Sequence, residues 1–253
     1  MLILYFLIFI FGLIMGSFLN CVIFRLENKK GFIKGKSFCP HCLHSLSWKD
    51  LIPLLSFFLL KRKCRYCQKE ISWQYPLVEL STASMFVWIF YFWQNQELLL
   101  SNLIFLLIIF SFLILIFIYD LKHMIIPDTL IIIPLLITFI YFLGKNINLL
   151  NHFLAGLFSL LFFLLIVIIS LGKGMGLGDV KLVFFLGFLL GYPNIIVALF
   201  LSFLIGAIIG IGLILNKKKQ MKSEVPFGPF LVIGTLIAYF WGTYLFNLYV
   251  GLL

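Results

Sequence analysis

Three aspartates are the residues best suited to chemistry in this chain. Asp120 and Asp128 frame the stretch "YDLKHMIIPD", and Asp179 ends "GMGLGD", between apolar runs on both sides. Ionisable groups in or near membrane-like sequence are costly and usually face a cavity or a partner.

Solvated anchoring or helix capping is the simpler interpretation of these aspartates. It fits Asp128, which follows Pro127 at a helix start. It fits Asp179 less well, because Gly174, Gly176 and Gly178 lower helix stability and permit unusual backbone angles and close approach.

Two carboxylates that meet in a poorly hydrated site cannot easily both ionise, so one of them keeps its proton. The neutral carboxyl donates a proton while the charged one activates water. This chemistry needs neither a metal nor a nucleophilic side chain. The sequence contains no HExxH, GxSxG or Walker-type motif that would favour another catalytic set. The pattern therefore predicts aspartic hydrolysis.

Four cysteines form a second candidate site. Cys39, Cys42, Cys64 and Cys67 make two CxxC pairs with twenty-one residues between them. Four thiolates suit tetrahedral zinc, and a reducing cytoplasm disfavours disulfides. Unliganded surface cysteines are the alternative interpretation. The regular spacing favours a structural zinc that folds a loop too small for a strong core. Cys21 lies inside an apolar run and is predicted to pack.

Composition determines what must position these residues. Hydrophobic residues make up 63% of the 253 residues and charged residues 11%, which identifies an integral membrane protein. The predicted fold class is all-α, with about eight transmembrane helices and a small cytoplasmic zinc loop. The first apolar run is predicted to be a retained helix, not a cleaved signal peptide. The predicted spans are 2–24, 77–93, 98–119, 129–143, 150–171, 180–191, 195–215 and 227–249, of which the fourth and sixth are short.

The distribution of basic residues predicts the orientation. Eleven of the nineteen Lys and Arg residues lie between the first two predicted spans, and of all nineteen only Lys145 lies in a loop on the opposite side. Positive loops stay cytoplasmic. The N-terminus is therefore predicted to lie outside and all three aspartates at the cytoplasmic face. The net charge of +10 also suits anionic lipid, whereas no nucleic-acid partner is expected.

Several motifs together resemble one family. "GMGLGDVK" with "YDLKHMIIPD", "GSFLNCVIFRL" near the start, "CPHC" with "CRYC", and "QYPLVEL" are similar to the bacterial prepilin peptidases, which are GxGD aspartic proteases of the inner membrane. Presenilin-like proteases share the aspartate motifs but lack the cysteine pairs and the N-terminal signature. The resemblance implies a catalytic pair of Asp120 and Asp179, with Asp128 in reserve. It also implies cleavage of type IV prepilins or pseudopilins after a glycine at the leader boundary.

The resemblance implies a second activity, methylation of the new N-terminus with S-adenosylmethionine. Gly16, Asn20 and Glu79 are the candidate residues for that site. The simpler interpretation is that Gly16, Ser17 and Asn20 allow close helix packing, while Glu79 pairs with a basic residue. The predicted division is residues 1–76 for the first helix, zinc loop and methylation, and 77–253 for the peptidase.

Two other functions fit parts of the pattern. A transporter or channel would use intramembrane aspartates and glycine-broken helices to bind cations, but these acids lie at one predicted membrane face. A zinc-containing membrane scaffold would leave the GxGD segment unexplained. Cleavage of a coexpressed prepilin separates the peptidase from both.

Overall fold

The computed structural model describes residues 1–27, 37–96, 99–171, 175–215 and 225–252. Within these residues the fold is helical, with isolated β-bridges and no β-strand. The helices are α1 (Leu2–Glu27), α2 (Leu55–Leu59), α3 (Gln74–Asn95), α4 (Leu100–His123), α5 (Asp128–Gly144), α6 (Leu149–Ile169), α7 (Leu177–Leu190), α8 (Asn194–Leu215) and α9 (Gly228–Val250); a 3₁₀ turn covers Trp48–Leu51.

The eight predicted spans correspond to α1 and α3 to α9. Six of these helices, all except α5 and α7, are long and apolar enough to cross a membrane. At 1.5 Å per residue, the 17 residues of α5 and the 14 of α7 extend about 26 Å and 21 Å, short of a hydrocarbon core of about 30 Å. The all-α membrane architecture predicted from composition is therefore confirmed, including the two short helices.

The described residues divide into two compact units, Met1–Ser111 and Phe112–Leu253, with the boundary inside α4. In the first unit α1 packs along α3. Glycines make this approach possible: a Cβ on Gly12 would lie 2.5 Å from the Cα of Ala83, and one on Gly16 would lie 2.6 Å from the Cα of Glu79. The predicted role of Gly16 in close helix packing is confirmed. The functional division at residues 76 and 77 concerns activities and stays a prediction.

In the second unit, α7 is the central helix, packed against α5, α6, α8 and α9. After Lys181 its sequence is apolar on all sides, and such a helix is stable only when surrounded. Phe185, Leu182 and Val183 are fully buried. Gly187 brings α7 against α6, where a Cβ would lie 2.8 Å from the carbonyl oxygen of Ala155. The first turn of this buried helix carries Asp179.

Candidate functional site

Asp120 lies in the last turn of α4 and is buried, with 4% of its surface exposed. Its Oδ2 accepts a hydrogen bond of 3.0 Å from the backbone N–H of Gly228, the first residue of α9. The N-terminus of a helix presents unpaired N–H groups and a partial positive charge, which stabilise a carboxylate. The start of α9 therefore holds the Asp120 side chain in place.

The contact with Gly228 depends on the lack of a side chain there. A Cβ on Gly228 would lie 2.6 Å from Oδ2 of Asp120 and 3.3 Å from Cδ1 of Ile126. Sequence reasoning missed Gly228. The Gly-Pro pair after Phe227 is a recognisable helix start, but nothing in the sequence links it to an aspartate 108 residues earlier.

Asp179 is the third residue of α7, and its carboxylate lies close enough to that of Asp120 for the two charges to interact. One oxygen of Asp179, Oδ2, accepts a 3.4 Å hydrogen bond from the backbone N–H of Gly176. This bond partly caps the helix. Ile126 packs beside both acidic segments, because Gly178 and Gly228 each face it. The structure thus brings together the two aspartates that the motifs single out.

The structure corrects the interpretation of two glycines in the GxGD segment. Gly176 has φ −80° and ψ 153°, values open to any residue, and Gly178 is helical. A Cβ on either would meet its nearest neighbour at 3.7 Å and 3.5 Å, an ordinary contact. The expectation of unusual backbone angles or close approach is wrong for both. Gly174 lies outside the described residues.

The sequence predicts that Asp128 caps a helix, and the structure corrects this too. Pro127 occupies the N-cap position of α5, Asp128 is the first helical residue, and no side-chain capping bond forms. Instead, Oδ1 of Asp128 pairs with Nζ of Lys181 at 2.7 Å, and both side chains are more than half exposed. The ion pair connects the first residue of α5 with the fifth residue of α7. Exposed pairs of this kind contribute little, about 0–1 kcal/mol.

The four cysteines of the first unit form one cluster, in which the Sγ atoms lie within 4.8 Å of one another. The Sγ atoms of Cys39 and Cys67 are 3.8 Å apart. Tetrahedral zinc with Zn–S bonds of about 2.3 Å requires sulfur atoms about 3.8 Å apart. No disulfide joins these four residues. The donor set therefore fits a zinc ion.

Both cysteine pairs have the same backbone turn. The N–H of Cys39 donates to the carbonyl of His44, and the N–H of Leu43 donates to the carbonyl of Cys39. Cys64 repeats the pattern with Lys69 and Gln68. Leu43 and Gln68 both have φ 57°, a left-handed conformation that non-glycine residues rarely adopt. Two matched turns of this kind bring the four thiols together.

The thiols are electrostatically unequal. Burial opposes ionisation of Cys39, but hydrogen bonds from the backbone N–H groups of Cys42 and His41 and from the thiols of Cys64 and Cys42 together outweigh it and lower the pKa of the Cys39 thiol to about 7. The backbone of Lys69 favours the thiolate of Cys67, but desolvation and hydrogen bonds with the other three thiols raise its pKa to about 11. One thiolate forms readily, and its negative charge opposes the ionisation of a second thiol. A divalent cation would remove that opposition.

A third group of polar residues lies between α1 and the start of α3. Glu79 is buried; its Oε2 accepts a 2.8 Å hydrogen bond from the backbone N–H of Leu54, and Ser17 also hydrogen-bonds to it. Asn20 is buried as well. Its Nδ2 donates to the carbonyl of Tyr75 at 3.1 Å, whereas its Oδ1 has no hydrogen-bond partner among the described residues. A buried carbonyl oxygen without a donor is costly and is available to a ligand.

Fold and site together define a multi-pass α-helical membrane protein with two interacting aspartates at helix ends and a four-cysteine loop. Residues 10–93 match the family described as bacterial peptidase A24 N-terminal domain, and residues 107–211 match the type IV leader peptidase family. The chain belongs to the type IV leader peptidase family.

Curated relatives cover nearly the whole chain. The chain is 35% identical to a prepilin leader peptidase/N-methyltransferase of Bacillus subtilis, over 96% of each protein. A protein of the same name from Aeromonas hydrophila is 36% identical, over 93% of this chain and 90% of the relative. One from Legionella pneumophila is 33% identical, over 98% and 94%. No solved structure matches significantly.

Proposed function

We propose that this protein is a membrane aspartic endopeptidase that removes the leader peptide of type IV prepilins or pseudopilins. The observation that carries this proposal is the single site formed by Asp120 and Asp179, where α9 holds one carboxylate and α7 presents the other. The names of the relatives support the substrate class. No described feature favours the transporter alternative.

In the proposed mechanism a water molecule lies between the two carboxyl groups. The ionised carboxylate takes a proton from this water as its oxygen bonds to the scissile carbonyl carbon, and the neutral carboxyl donates its proton to the carbonyl oxygen. The tetrahedral intermediate then loses the C–N bond, and the departing amine takes a proton from the pair. The N–H of Gly228 fixes Asp120 throughout.

The proposed orientation has the N-terminus outside and the zinc loop in the cytoplasm, as the basic residues predict. In this orientation Asp120 and Asp179 face the cytoplasmic side, where a short basic leader would follow the apolar helix of its substrate. The acidic pair and the basic leader would then attract each other at the membrane surface.

Cys39, Cys42, Cys64 and Cys67 would hold a structural zinc, which would cross-link the two turns of the loop. The metal has no assigned step in hydrolysis. Its proposed contribution is to the free energy of folding of residues 37–73.

The second proposed activity is N-methylation of the cleaved pilin, with S-adenosylmethionine supplying the methyl group. Asn20 offers a buried carbonyl oxygen and Glu79 a buried carboxylate, both suited to hold an amine or the cofactor. Gly16 would contribute to this site by allowing α1 to pack closely against α3 at Glu79. Residues 1–76 would then carry most of the methylation site, and 77–253 the peptidase together with Glu79.

The test is cleavage of a tagged prepilin coexpressed with single variants. Asp120→Asn and Asp179→Asn keep the side-chain shape but lose the carboxylate, so each should slow cleavage by roughly 10²- to 10⁴-fold. The measurement is the rate of leader loss by gel shift and mass spectrometry, normalised to the amount of variant in the membrane.

Asp128→Asn is the matched control, because it makes the same chemical change at an exposed ion pair. It should retain most of the activity. Wild-type cleavage rates in the Asp179→Asn variant would refute the mechanism, and loss of activity in Asp128→Asn alone would move the catalytic role to Asp128.

A further inference from the structure

The zinc loop carries an exposed apolar face that the proposed chemistry does not use. Its exposed side chains lie on the 3₁₀ turn, on the residue after it and on α2, and they are Trp48, Leu51, Ile52, Leu55, Phe58 and Leu59. Of these, Trp48 is 71% exposed, Phe58 63% and Leu59 80%. Phe57, on the opposite side of α2, is buried against the ring of Trp73. We name this set of six residues the apolar face.

The position of the apolar face relative to the spanning helices follows from one hydrogen bond. The backbone N–H of Leu54, between the two halves of the face, donates to Glu79. Glu79 is the sixth residue of α3, so at 1.5 Å per residue it lies about 7.5 Å inside the start of that helix. The 22 residues of α3 extend about 33 Å, close to the thickness of the hydrocarbon core. Leu54 is therefore held beside the first turns of α3, at the end of that helix that the basic residues predict to be cytoplasmic.

The backbone at this anchored residue is also strained. Leu54 has φ 58° and ψ −52°, a conformation that a residue with a Cβ rarely adopts. The strained residue begins α2 and connects its apolar side chains to the 3₁₀ turn. The buried carboxylate of Glu79 thus holds the connection between the 3₁₀ turn and α2 beside the start of α3.

Charge complements the apolar face. Residues 37–73 contain six basic and two acidic residues, for a net charge of +4. Arg62 and Arg65 form ion pairs with Glu70 and Asp50, whereas Lys49, Lys61 and Lys63 are exposed at the two ends of the face. Lysines beside an exposed apolar helical face are typical of segments that lie in an anionic membrane interface.

From this geometry we infer that the apolar face is a lipid-binding surface, inserted into the headgroup–acyl boundary of an anionic bilayer. The bilayer is the membrane that α1 and α3 themselves cross. Insertion would remove the apolar face from water and place the lysines among lipid phosphates. The zinc loop would then lie flat on the membrane, tethered at three points: α1, α3 and the apolar face.

Photocrosslinking of the full-length protein in nanodiscs tests this inference. A diazirine amino acid replaces Phe58 in one protein and Ser45, an exposed residue of the same loop outside the apolar face, in the control. Phospholipid adducts should be roughly tenfold more abundant at position 58 and should increase when phosphatidylglycerol is added to phosphatidylcholine. Equal lipid yields at both positions would overturn the proposal. So would adducts at position 58 formed mainly with a second copy of the chain or with added prepilin.

A second measurement uses trypsin digestion between Lys61 and Arg65 in the same nanodiscs. Phe58→Asp should increase the digestion rate severalfold, because a carboxylate opposes insertion, whereas Ser45→Asp adds the same charge without that effect. Equal zinc content in both variants establishes that the loop is folded. A digestion rate for Phe58→Asp equal to that of wild type would contradict the proposal. Prepilin cleavage is not the readout, so failure of the proposed activity would be recognised separately.

Discussion

At the scale of single residues, the least expected feature is the dependence of Asp120 on a glycine in the last helix. The Gly228 N–H is its hydrogen-bond donor, and no side chain fits between the two. Asp120 is therefore positioned by contact as well as by charge. The two GxGD glycines in the described residues have no comparable constraint.

Gly228→Ala tests this positioning. The added Cβ would lie 2.6 Å from Oδ2 of Asp120, so the carboxylate must move. A displacement of about 1 Å at a reacting group can cost roughly 10²-fold in rate, and we expect a loss of cleavage of that order. The measurement is the rate of prepilin cleavage at saturating substrate.

Gly210→Ala is the matched control, because a Cβ there meets nothing within 4 Å. It should cleave at the wild-type rate. Gly178→Ala adds a methyl group at ordinary contact distance from Ile126 and should retain most activity. A fully active Gly228→Ala variant would show that Asp120 tolerates displacement, against the role assigned to α9.

At the scale of elements, the two cysteine turns depend on each other. Each is short and strained at Leu43 or Gln68, and within the described residues no β-sheet supports them. A loop of this size has too little apolar core to balance its conformational entropy without a cross-link. Zinc would supply that cross-link.

Replacement of Cys39 and Cys42 by serine should lower the zinc content from about one ion per chain to none, because two thiolates cannot complete the tetrahedral shell. Residues 37–73 should then become sensitive to protease. Elemental analysis of purified protein and limited proteolysis provide the measurements. Cys21→Ser is the control, since Cys21 lies in α1 outside the cluster, and it should keep its zinc. A wild-type protein without metal whose loop resists protease would contradict the assignment.

The sequence predicted the helices and the cysteine cluster because both depend on local signals, apolar length and regular spacing. It did not predict α2 or the 3₁₀ turn. The apolar run that forms them is too short to span a membrane, so the sequence assigns it to the first loop. The Glu79–Leu54 and Asp120–Gly228 bonds were also missed, because they join residues 25 and 108 positions apart. Contacts between residues so far apart depend on how the elements pack, and local patterns in one sequence do not show that packing.

At the scale of the whole molecule, the two proposed activities use different residues. Hydrolysis is assigned to Asp120 and Asp179 in the second compact unit, and methylation to the surroundings of Asn20 and Glu79 in the first. Separate sites predict separable defects.

Glu79→Gln should lower methylation by roughly tenfold or more while cleavage continues, because it removes a buried charge from the proposed amine or cofactor site. Glutamine keeps an acceptor oxygen for the N–H of Leu54, so the loop stays anchored. Mass spectrometry of the pilin N-terminus measures leader loss and the methyl increment in one experiment. Equal losses of both activities would indicate a structural role for Glu79.

The reciprocal control is Asp179→Asn, which should still methylate a pilin supplied already cleaved. Without that supply it should yield no methylated product, because cleavage creates the amine. If wild-type protein cleaves but never adds a methyl group with S-adenosylmethionine present, the methylation proposal fails and the peptidase proposal stands.

The bond between Asp120 and Gly228 also has a consequence for biosynthesis. The ribosome makes Asp120 long before it makes Gly228, so a nascent chain that has inserted α4 to α8 holds a carboxylate whose backbone donor does not yet exist. The N-terminus of α9 supplies that donor only when this helix enters the membrane. Formation of the proposed active site is thereby coupled to synthesis of α9, and a chain translated only as far as α8 would not yet have the carboxylate geometry proposed for hydrolysis.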